Sequence, residues 1–313
     1  MGIPINWEPT TASLHDVHKH LTSPQGGWPQ PQIDVPPITA EQRRRAQHQW
    51  TQRVRATYVS TGQASTILQQ LIALGAPLEV LTGAAYTAEE MTLQLTINLH
   101  LLRPLDPPTS LSAPESLAPG GSHRPSWEDL FTQLLEFFAF NLTLSRPVYR
   151  ALYAVSSDRA ISELSGLLAD NLGELTTFGE LTLQWLHSTH LPNLTPSTAE
   201  KIPRLFASYE SLFHGSPKML DSLAGQEVTV QTRPGNLGTL SSRQLAAIFY
   251  DTLQSDIFPL LQKLGIDAGS DWRRRHRFRH PSAPRPFAAT AVGLFFPDDD
   301  RRARSTESDP GIS

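Results

Sequence analysis

The sequence predicts an all-α protein: a four-helix bundle with a long crossover and an additional C-terminal helix. Apolar residues recur at helical spacing in successive segments, each long enough to form one helix of a bundle. Cap signals and helix breakers separate these segments. A long connection rich in Pro, Ser and Gly lies between the second and third segments, where a bundle built from two helix pairs needs its crossover.

The first helix is predicted to begin at Thr39, which opens a capping box, and to run to Leu74. Gly62 is a point at which this helix could divide into two pieces. Gly75 and the proline that follows soon after it end the helix. The residues at helical spacing along it are Trp50, Val54, Ile67, Leu68, Leu71 and Leu74.

The second helix is predicted to begin at about Thr82 or Thr87 and to end at Leu102. We expect one of its faces to be buried, because apolar side chains recur along it at helical spacing. The residues of this expected buried stripe are Met91, Leu95, Leu99 and Leu102. The stretch from Arg103 to Pro125 follows and is too long for a tight turn, so it is interpreted as the crossover.

The third helix, near Ser126–Val155, is the most apolar and is predicted to be central. The fourth, about Ser157–His187, begins at a Ser-Ser-Asp cap signal. The apolar positions of the third helix are Phe131, Leu134, Leu135, Phe138, Leu142 and Val148. Those of the fourth are Leu164, Leu168, Leu172, Leu175, Leu183 and Leu186. Glu163, Asp170 and Glu174 fall on the opposite side, which predicts a solvated face.

The remaining sequence contains an amphipathic piece around Ala199–Phe213, a weakly extended stretch at Glu227–Thr232 and a strong helix at Ser242–Leu264. Pro259 is expected to kink that last helix. The predicted organisation is a Pro-rich N-terminal arm at 1–37, a helical domain at 38–267, and a disordered tail at 268–313 that is first basic and then acidic.

Composition excludes several classes of function. The chain has 313 residues, a net charge of −4 and no cysteine, so no disulfide, thiolate metal site or cysteine nucleophile is expected. Charges of both signs are mixed, so no global attraction to nucleic acid or to a membrane surface is expected. The sequence has neither a secretory signal nor an apolar run of ~18 residues, which predicts a cytoplasmic protein.

The segment Asp170–Gly179 resembles the last helix of a ferritin-like bundle, where the family usually shows Asp-Glu-x-x-His-x-x-x-Gly. The resemblance covers roughly Thr39–Gln184, and the Ser242–Asp267 helix resembles a C-terminal helix of bacterial ferritin-like proteins. The other motifs that support it, in the family's order and spacing, are Ala40–Ala46 through Trp50, Ala88–Glu90, Leu144–Ser145 and Phe178–Gly179.

The resemblance implies a site for two irons, held by carboxylates and by Glu-x-x-His pairs that point to the bundle centre. In this sequence the ligand positions are substituted, and only the glutamate keeps a coordinating side chain. The positions that correspond to the family's ligands are Thr57, Glu90, Leu93, Arg146, Leu172 and Leu175. Such a set cannot hold two irons, so no metal and no cofactor are expected, with iron as the alternative.

Arg146 is the most informative substitution, because a guanidinium at a metal position repels cations and needs a partner when it is buried. We hypothesise that a Glu90–Arg146 ion pair replaces the metal cluster, with Thr57 hydrogen-bonded nearby. Leu93, Leu172 and Leu175 would then fill the volume of the lost ligands. The alternative is that Arg146 points outward, with the alignment displaced by one residue.

The leading functional interpretation is therefore a degenerate ferritin-like protein, non-catalytic and metal-free, that acts as a binding or assembly partner. Its protein partner is not identified by the sequence, and a homodimer is left open. The first alternative is a ferritin-like iron, or manganese/iron, oxidase, oxygenase or ferroxidase whose ligands are displaced. The second is a module that binds an apolar small molecule between the helices. The aromatic residues available for its walls include Phe137, Phe138, Phe140 and Tyr149.

Overall fold

Every long element in the described part of the chain is a helix, which confirms the predicted all-α class. The computed structural model describes residues 3–4, 31–33, 35, 37–106, 112–113, 125–210 and 235–278. Within those ranges the extended structure amounts to a two-residue antiparallel ladder, in which Ile3–Pro4 pairs with Ser112–Ala113. No helix in the described ranges combines the length and the apolar character needed to cross a membrane.

We number the helices α1 to α7 in chain order. Their bounds are Ala40–Leu74 for α1, Leu78–Leu102 for α2, Trp127–Val155 for α3, Arg159–His190 for α4, Pro196–Glu210 for α5, Ser242–Lys263 for α6 and Ala268–Arg274 for α7. Helix α3 joins Trp127–Leu134, a π-helical segment at Leu135–Leu142 and Thr143–Val155; α6 joins Ser242–Thr252, a π-helical segment at Leu253–Ile257 and Phe258–Lys263. Short 3₁₀ turns follow α2 at Arg103–Leu105 and α7 at Arg275–Phe278.

Helix α1 begins and ends where the sequence predicts. The Thr39 hydroxyl accepts a hydrogen bond from the Gln42 amide at 3.1 Å, and the Gln42 side chain accepts one from the Thr39 amide at 2.9 Å. This reciprocal pair is the expected capping box. The helix then continues without a break through Gly62, so α1 is not divided. Gly75, with φ of +73°, ends it in the left-handed conformation that glycine adopts readily.

Two helical hairpins form the centre of the fold. A short turn joins α1 to α2 and another joins α3 to α4, and each pair packs along its length. The connection between the hairpins begins after Leu105, and Ser126 ends it by capping α3. The hairpins contact each other through α1 with α3 and through α2 with α4.

Most of the predicted apolar stripes are buried, but that of α2 is rotated. The predicted core leucines and phenylalanines of α3, α4 and α6 are all inaccessible to solvent. On α2, Leu95 and Leu99 are only half-buried, whereas Gln94 and Asn98 are buried. The prediction is confirmed for Met91 and Leu102 and is wrong for Leu95 and Leu99. It placed those leucines inward by polarity alone, whereas this helix buries two amide side chains there.

The segment Gly235–Ser241, which leads into α6, is hydrogen-bonded to side chains of α1. Trp50 Nε1 donates to the Leu237 carbonyl at 2.8 Å, and Arg53 Nη1 donates to the Gly238 carbonyl at 2.8 Å. Gly238 has φ of +73°, and a Cβ placed there would lie 2.7 Å from the Trp50 ring. Only glycine therefore fits this close crossing of the segment over α1.

The C-terminal part of the described chain is folded as far as Phe278, which differs from the predicted tail beginning at 268. Asp267 caps α7, which packs on α5. The Arg275 guanidinium, 6% exposed, is bonded twice to the Glu210 carboxylate, at 2.9 and 3.1 Å. This pair holds the turn at Arg275–Phe278 against α5, a long-range contact that local composition does not encode. Residues 279–313, the Glu227–Thr232 stretch and most of the predicted arm lie outside the described residues.

Candidate functional site

A network of neutral hydrogen bonds lies where three helices meet in the bundle centre. The Asn98 Nδ2 of α2 donates to the Thr57 hydroxyl of α1 at 2.9 Å and lies 2.8 Å from the Tyr149 hydroxyl of α3. The Tyr149 hydroxyl also donates to Asn98 Oδ1 at 3.1 Å, and Thr57 Oγ1 donates to the Arg53 carbonyl at 2.9 Å. All of these side chains are buried, so each bond forms away from competing water.

A second buried bond crosses the bundle beside the first. Asn141, in the π-helical segment of α3, donates from Nδ2 to the Ser60 hydroxyl of α1 at 2.9 Å. The Asn141 carbonyl accepts from Ser145 Oγ at 2.7 Å. Short π-helical segments within α-helices often occur at functional sites, because they redirect side chains that a regular helix would place elsewhere. Here the segment brings an amide into the centre of the hairpin pair.

A small cavity of about 10 Å³ lies among these polar groups. It has room for about one water molecule, far less than an organic ligand needs. The Gln94 Nε2 at its wall is buried and has no hydrogen-bond partner. The residues that line the cavity are Thr57, Ser60, Met91, Gln94, Ser145, Tyr149 and Leu172.

Arg53 is a buried cation at the edge of this centre. Its guanidinium is 2% exposed, donates to Gln49 Oε1 at 3.1 Å as well as to the segment over α1, and lies 4.3 Å from the centre of the Trp50 ring. Burial lowers the pKa of Arg53 to about 10. Burial also raises the pKa of the Tyr149 hydroxyl, a shift that its bond to Asn98 and the Arg53 charge oppose.

The structure places the substituted ligand positions at different depths. Thr57 and Leu172 both line the small central cavity. Leu93 and Leu175 are buried in the apolar core. The remaining two positions, the glutamate of α2 and the arginine of α3, lie toward the surface and are half-buried.

The predicted Glu90–Arg146 ion pair is wrong: within the described residues no salt bridge joins these two side chains. Glu90 Oε2 accepts from Asn171 Nδ2 of α4 at 2.8 Å. Arg146 lies against α4 at Gly173, where a Cβ would be 3.2 Å from the guanidinium carbon. Glu90 and Arg146 therefore contact α4 at Asn171 and Gly173, and residues two apart project from different sides of a helix.

The environment of Glu90 shifts two pKa values. Partial burial raises the pKa of its carboxyl, while hydrogen bonds from Tyr86 and Asn171 oppose the shift and the charge of Glu89 adds to it. Burial, together with the charges of Glu90 and Glu174, raises the pKa of Tyr86 to about 12. Both groups lie at the α2–α4 surface, away from the central cavity.

The arrangement favours hydrogen bonding over coordination. The described residues contain no group of three or more His, Cys, Asp or Glu side chains close enough to share a metal ion. The three phenylalanines considered as ligand walls pack on other rings: Phe137 lies 4.9 Å from Phe138, and Phe140 lies 5.1 Å from Tyr209, between ring centres. Comparison with protein-family models, curated proteins and solved structures finds no match to this chain.

The central amides were missed by reasoning from the sequence, although a signal for them was present. Asn141 stands between Phe140 and Leu142, in the most apolar helix, and Asn98 follows Ile97. A polar residue within an apolar stripe needs a buried partner. The partner itself, a hydroxyl on a different helix, follows only from the tertiary packing.

Proposed function

We propose that this protein is a non-catalytic, metal-free relative of the ferritin-like bundles that acts as a binding or assembly partner of another protein. The observation that carries the proposal is the neutral network of Thr57, Asn98 and Tyr149 in the bundle centre. Coordinating side chains would have to be carboxylates or imidazoles there. Hydroxyls and amides that already satisfy one another leave no such donor set.

The topology supports the ferritin-like part of the proposal. Two helical hairpins joined by one long crossover form the arrangement that ferritin-like folds share, and α5, α6 and α7 follow it here. The substituted ligand positions are consistent with the loss of metal binding, because Leu93, Leu172 and Leu175 offer only hydrocarbon side chains. We include a cytoplasmic location in the proposal, supported by the absence of cysteine from the sequence.

The electrostatics of the centre also support a metal-free function. The buried Arg53 guanidinium lies beside Tyr149, and its charge acts on that hydroxyl. A divalent cation near the same hydroxyl would be repelled by this charge in a medium that screens poorly. The side chains bonded to Arg53 within the described residues, Gln49 among them, carry no compensating negative charge.

The decisive experiment measures metal in protein purified from cells grown with added iron. We expect far less than one iron per chain in the native protein, and the same trace amount in Glu90→Gln, which removes the single coordinating side chain among the degenerate positions. Iron near one or two atoms per chain, lost in the Glu90→Gln variant, would contradict the proposal. That result would favour the alternative of a ferritin-like oxidase with displaced ligands.

A further inference from the structure

A polar groove of about 420 Å³ opens between α3, α4 and α6. Its volume falls within the range of small-molecule sites, about 300–1,000 Å³. It shares no lining residue with the small central cavity. The π-helical segment of α6, Leu253–Ile257, contributes part of its wall.

Two guanidinium groups line the α3 side of the groove. Arg146 and Arg150 lie one helical turn apart, so their side chains project from the same face. Within the described residues neither has a carboxylate oxygen within 4.0 Å. The Arg146 Nε is buried and has no hydrogen-bond partner among the residues that the structure describes. The glycine at position 173 of α4 leaves room for the Arg146 side chain, because a Cβ at Gly173 would lie 3.2 Å from the guanidinium carbon.

Two carboxylates line the α6 side. Asp251 precedes the π-helical segment by two residues and Asp256 lies within it. Within the described part of the chain neither has a cationic nitrogen within 4.0 Å. Asp256 does accept a hydrogen bond from Ser255. The other two charges of the groove, Lys263 and Glu180, form an ion pair with each other. The unpaired charges are therefore separated, positive on α3 and negative on α6.

We propose that this groove binds a small zwitterion, with a carboxylate or phosphate group at one end and an ammonium group at the other. The guanidinium groups of Arg146 and Arg150 would hold the anionic end, since arginine forms paired hydrogen bonds with such oxygens. Asp251 and Asp256 would hold the ammonium. A simple anion or a nucleic-acid backbone fits less well, because it would meet both carboxylates.

This inference does not rest on the proposed function. A metal in the bundle centre would leave the groove and its charges as they are. A failed iron test therefore says nothing about the groove, and a groove that binds nothing says nothing about the metal. The two proposals are distinguishable experimentally.

The first experiment titrates the full-length protein by calorimetry with two zwitterions, glycylglycine and phosphoethanolamine, and with inorganic phosphate and ethanolamine as the separate ends. We expect saturable binding of at least one zwitterion, at least about tenfold tighter than either separate end, a difference of about 1.4 kcal/mol. Preference between the two zwitterions identifies the anionic group. Absence of binding by both zwitterions, or equal binding of phosphate alone, would overturn the proposal.

The second experiment uses variants at exposed positions, so that the core is not disturbed. Arg150→Met should weaken binding of the zwitterion about tenfold or more, whereas Arg44→Met, an exposed arginine of α1, should not change it. Asp251→Asn should weaken binding of the zwitterion but strengthen binding of inorganic phosphate, because it removes a negative charge from the groove. Equal effects of the two arginine variants, or weaker phosphate binding by Asp251→Asn, would contradict the proposal.

Discussion

Asn98 is the residue on which the central network depends, because its amide connects α1 and α3 through hydrogen bonds to Thr57 and Tyr149. Asn98→Ala removes these bonds, leaves the tyrosine hydroxyl without this partner and opens a void. We expect the free energy of unfolding to fall by about 2–4 kcal/mol, measured by urea denaturation. Thr96→Ala is the matched control, since its hydroxyl bonds only within its own helix.

The coupling between these residues can be measured separately. Combining Asn98→Leu with Tyr149→Phe removes both polar partners and replaces them with hydrocarbon of similar size. The double variant should lose at least about 1 kcal/mol less than the sum of the two single variants. Additive losses, or a Thr96→Ala loss as large as that of Asn98→Ala, would show that the network does not act as a unit.

Glu90 makes a prediction about pH. Because burial raises the pKa of its carboxyl, the folded chain holds this proton more tightly than the unfolded chain. Its contribution to stability is fully present at low pH and is lost as pH rises from the ordinary carboxyl pKa of about 4.3 through the raised one. Glu90→Gln should therefore gain stability relative to the native protein as pH rises through that window.

Urea unfolding from pH 4 to pH 8 tests this prediction. Glu89→Gln should produce a smaller change of the same sign, because the Glu89 charge adds to the raised pKa of Glu90. A constant difference between Glu90→Gln and the native protein across the range would contradict the assignment. The readout is the slope of stability with pH.

At the scale of single residues, the sequence predicted which side chains are buried better than it predicted which side chains contact one another. The apolar identity of Leu172 and Leu175 was enough to predict that both are buried. The Glu90–Arg146 pair was not predictable, since a helical register error of a fraction of a turn decides which helix a side chain faces. Asn171, which bonds Glu90 instead, carries no local signal for that role.

At the scale of elements, the contact between α3 and α4 depends on a glycine. A Cβ added at Gly179 would lie 2.2 Å from Phe138 Cγ, and that ring is held by Phe137 and Phe178. Gly179→Ala should therefore destabilise the protein by about 1–3 kcal/mol, although alanine is the better helix former by about 1 kcal/mol. Thermal or urea unfolding measures the loss.

The control for this prediction is Gly269→Ala in α7, where the nearest atom to an added Cβ is 3.6 Å away. Without a clash, alanine should stabilise the helix by up to about 1 kcal/mol. Adding Phe138→Leu to Gly179→Ala should recover part of the loss, because the smaller side chain leaves room for the methyl group. If Gly179→Ala instead stabilises the protein as Gly269→Ala does, the close packing of the two helices is contradicted.

Helix ends that depend on local chemistry were predictable, and features that depend on packing were not. Thr39 caps α1, and Asp158 of the Ser-Ser-Asp signal caps α4, as expected, because their side-chain oxygens accept hydrogen bonds from backbone amides three residues ahead. Helix α2 begins at Leu78, earlier than expected, since it starts directly after the proline that ends the previous turn. The π-helical segments have no propensity signal of their own, although one of them ends two residues before Pro259.

At the scale of the whole molecule, long-range polar contacts hold against the helices two segments that composition alone assigns to tails or loops. Trp50 and Arg53 hold the segment Gly235–Ser241 against α1. The ion pair of Glu210 and Arg275 holds the Arg275–Phe278 turn against α5. Each joins parts of the chain far apart in sequence. The two-hairpin order and the crossover were predictable from apolar periodicity, but these closing contacts required the tertiary structure.

The Glu210–Arg275 pair gives the last prediction, because both side chains are almost fully buried at α5 and the turn after α7. Arg275→Met alone deprives a buried carboxylate of its guanidinium and should cost about 3–5 kcal/mol in urea unfolding. Combining it with Glu210→Gln removes the charge and should recover most of that loss. Arg159→Met, which breaks an exposed pair with Glu163, should leave the free energy of unfolding nearly unchanged. A double variant as unstable as the sum of its singles would show that the Glu210–Arg275 pair does not hold the turn at Arg275–Phe278 against α5.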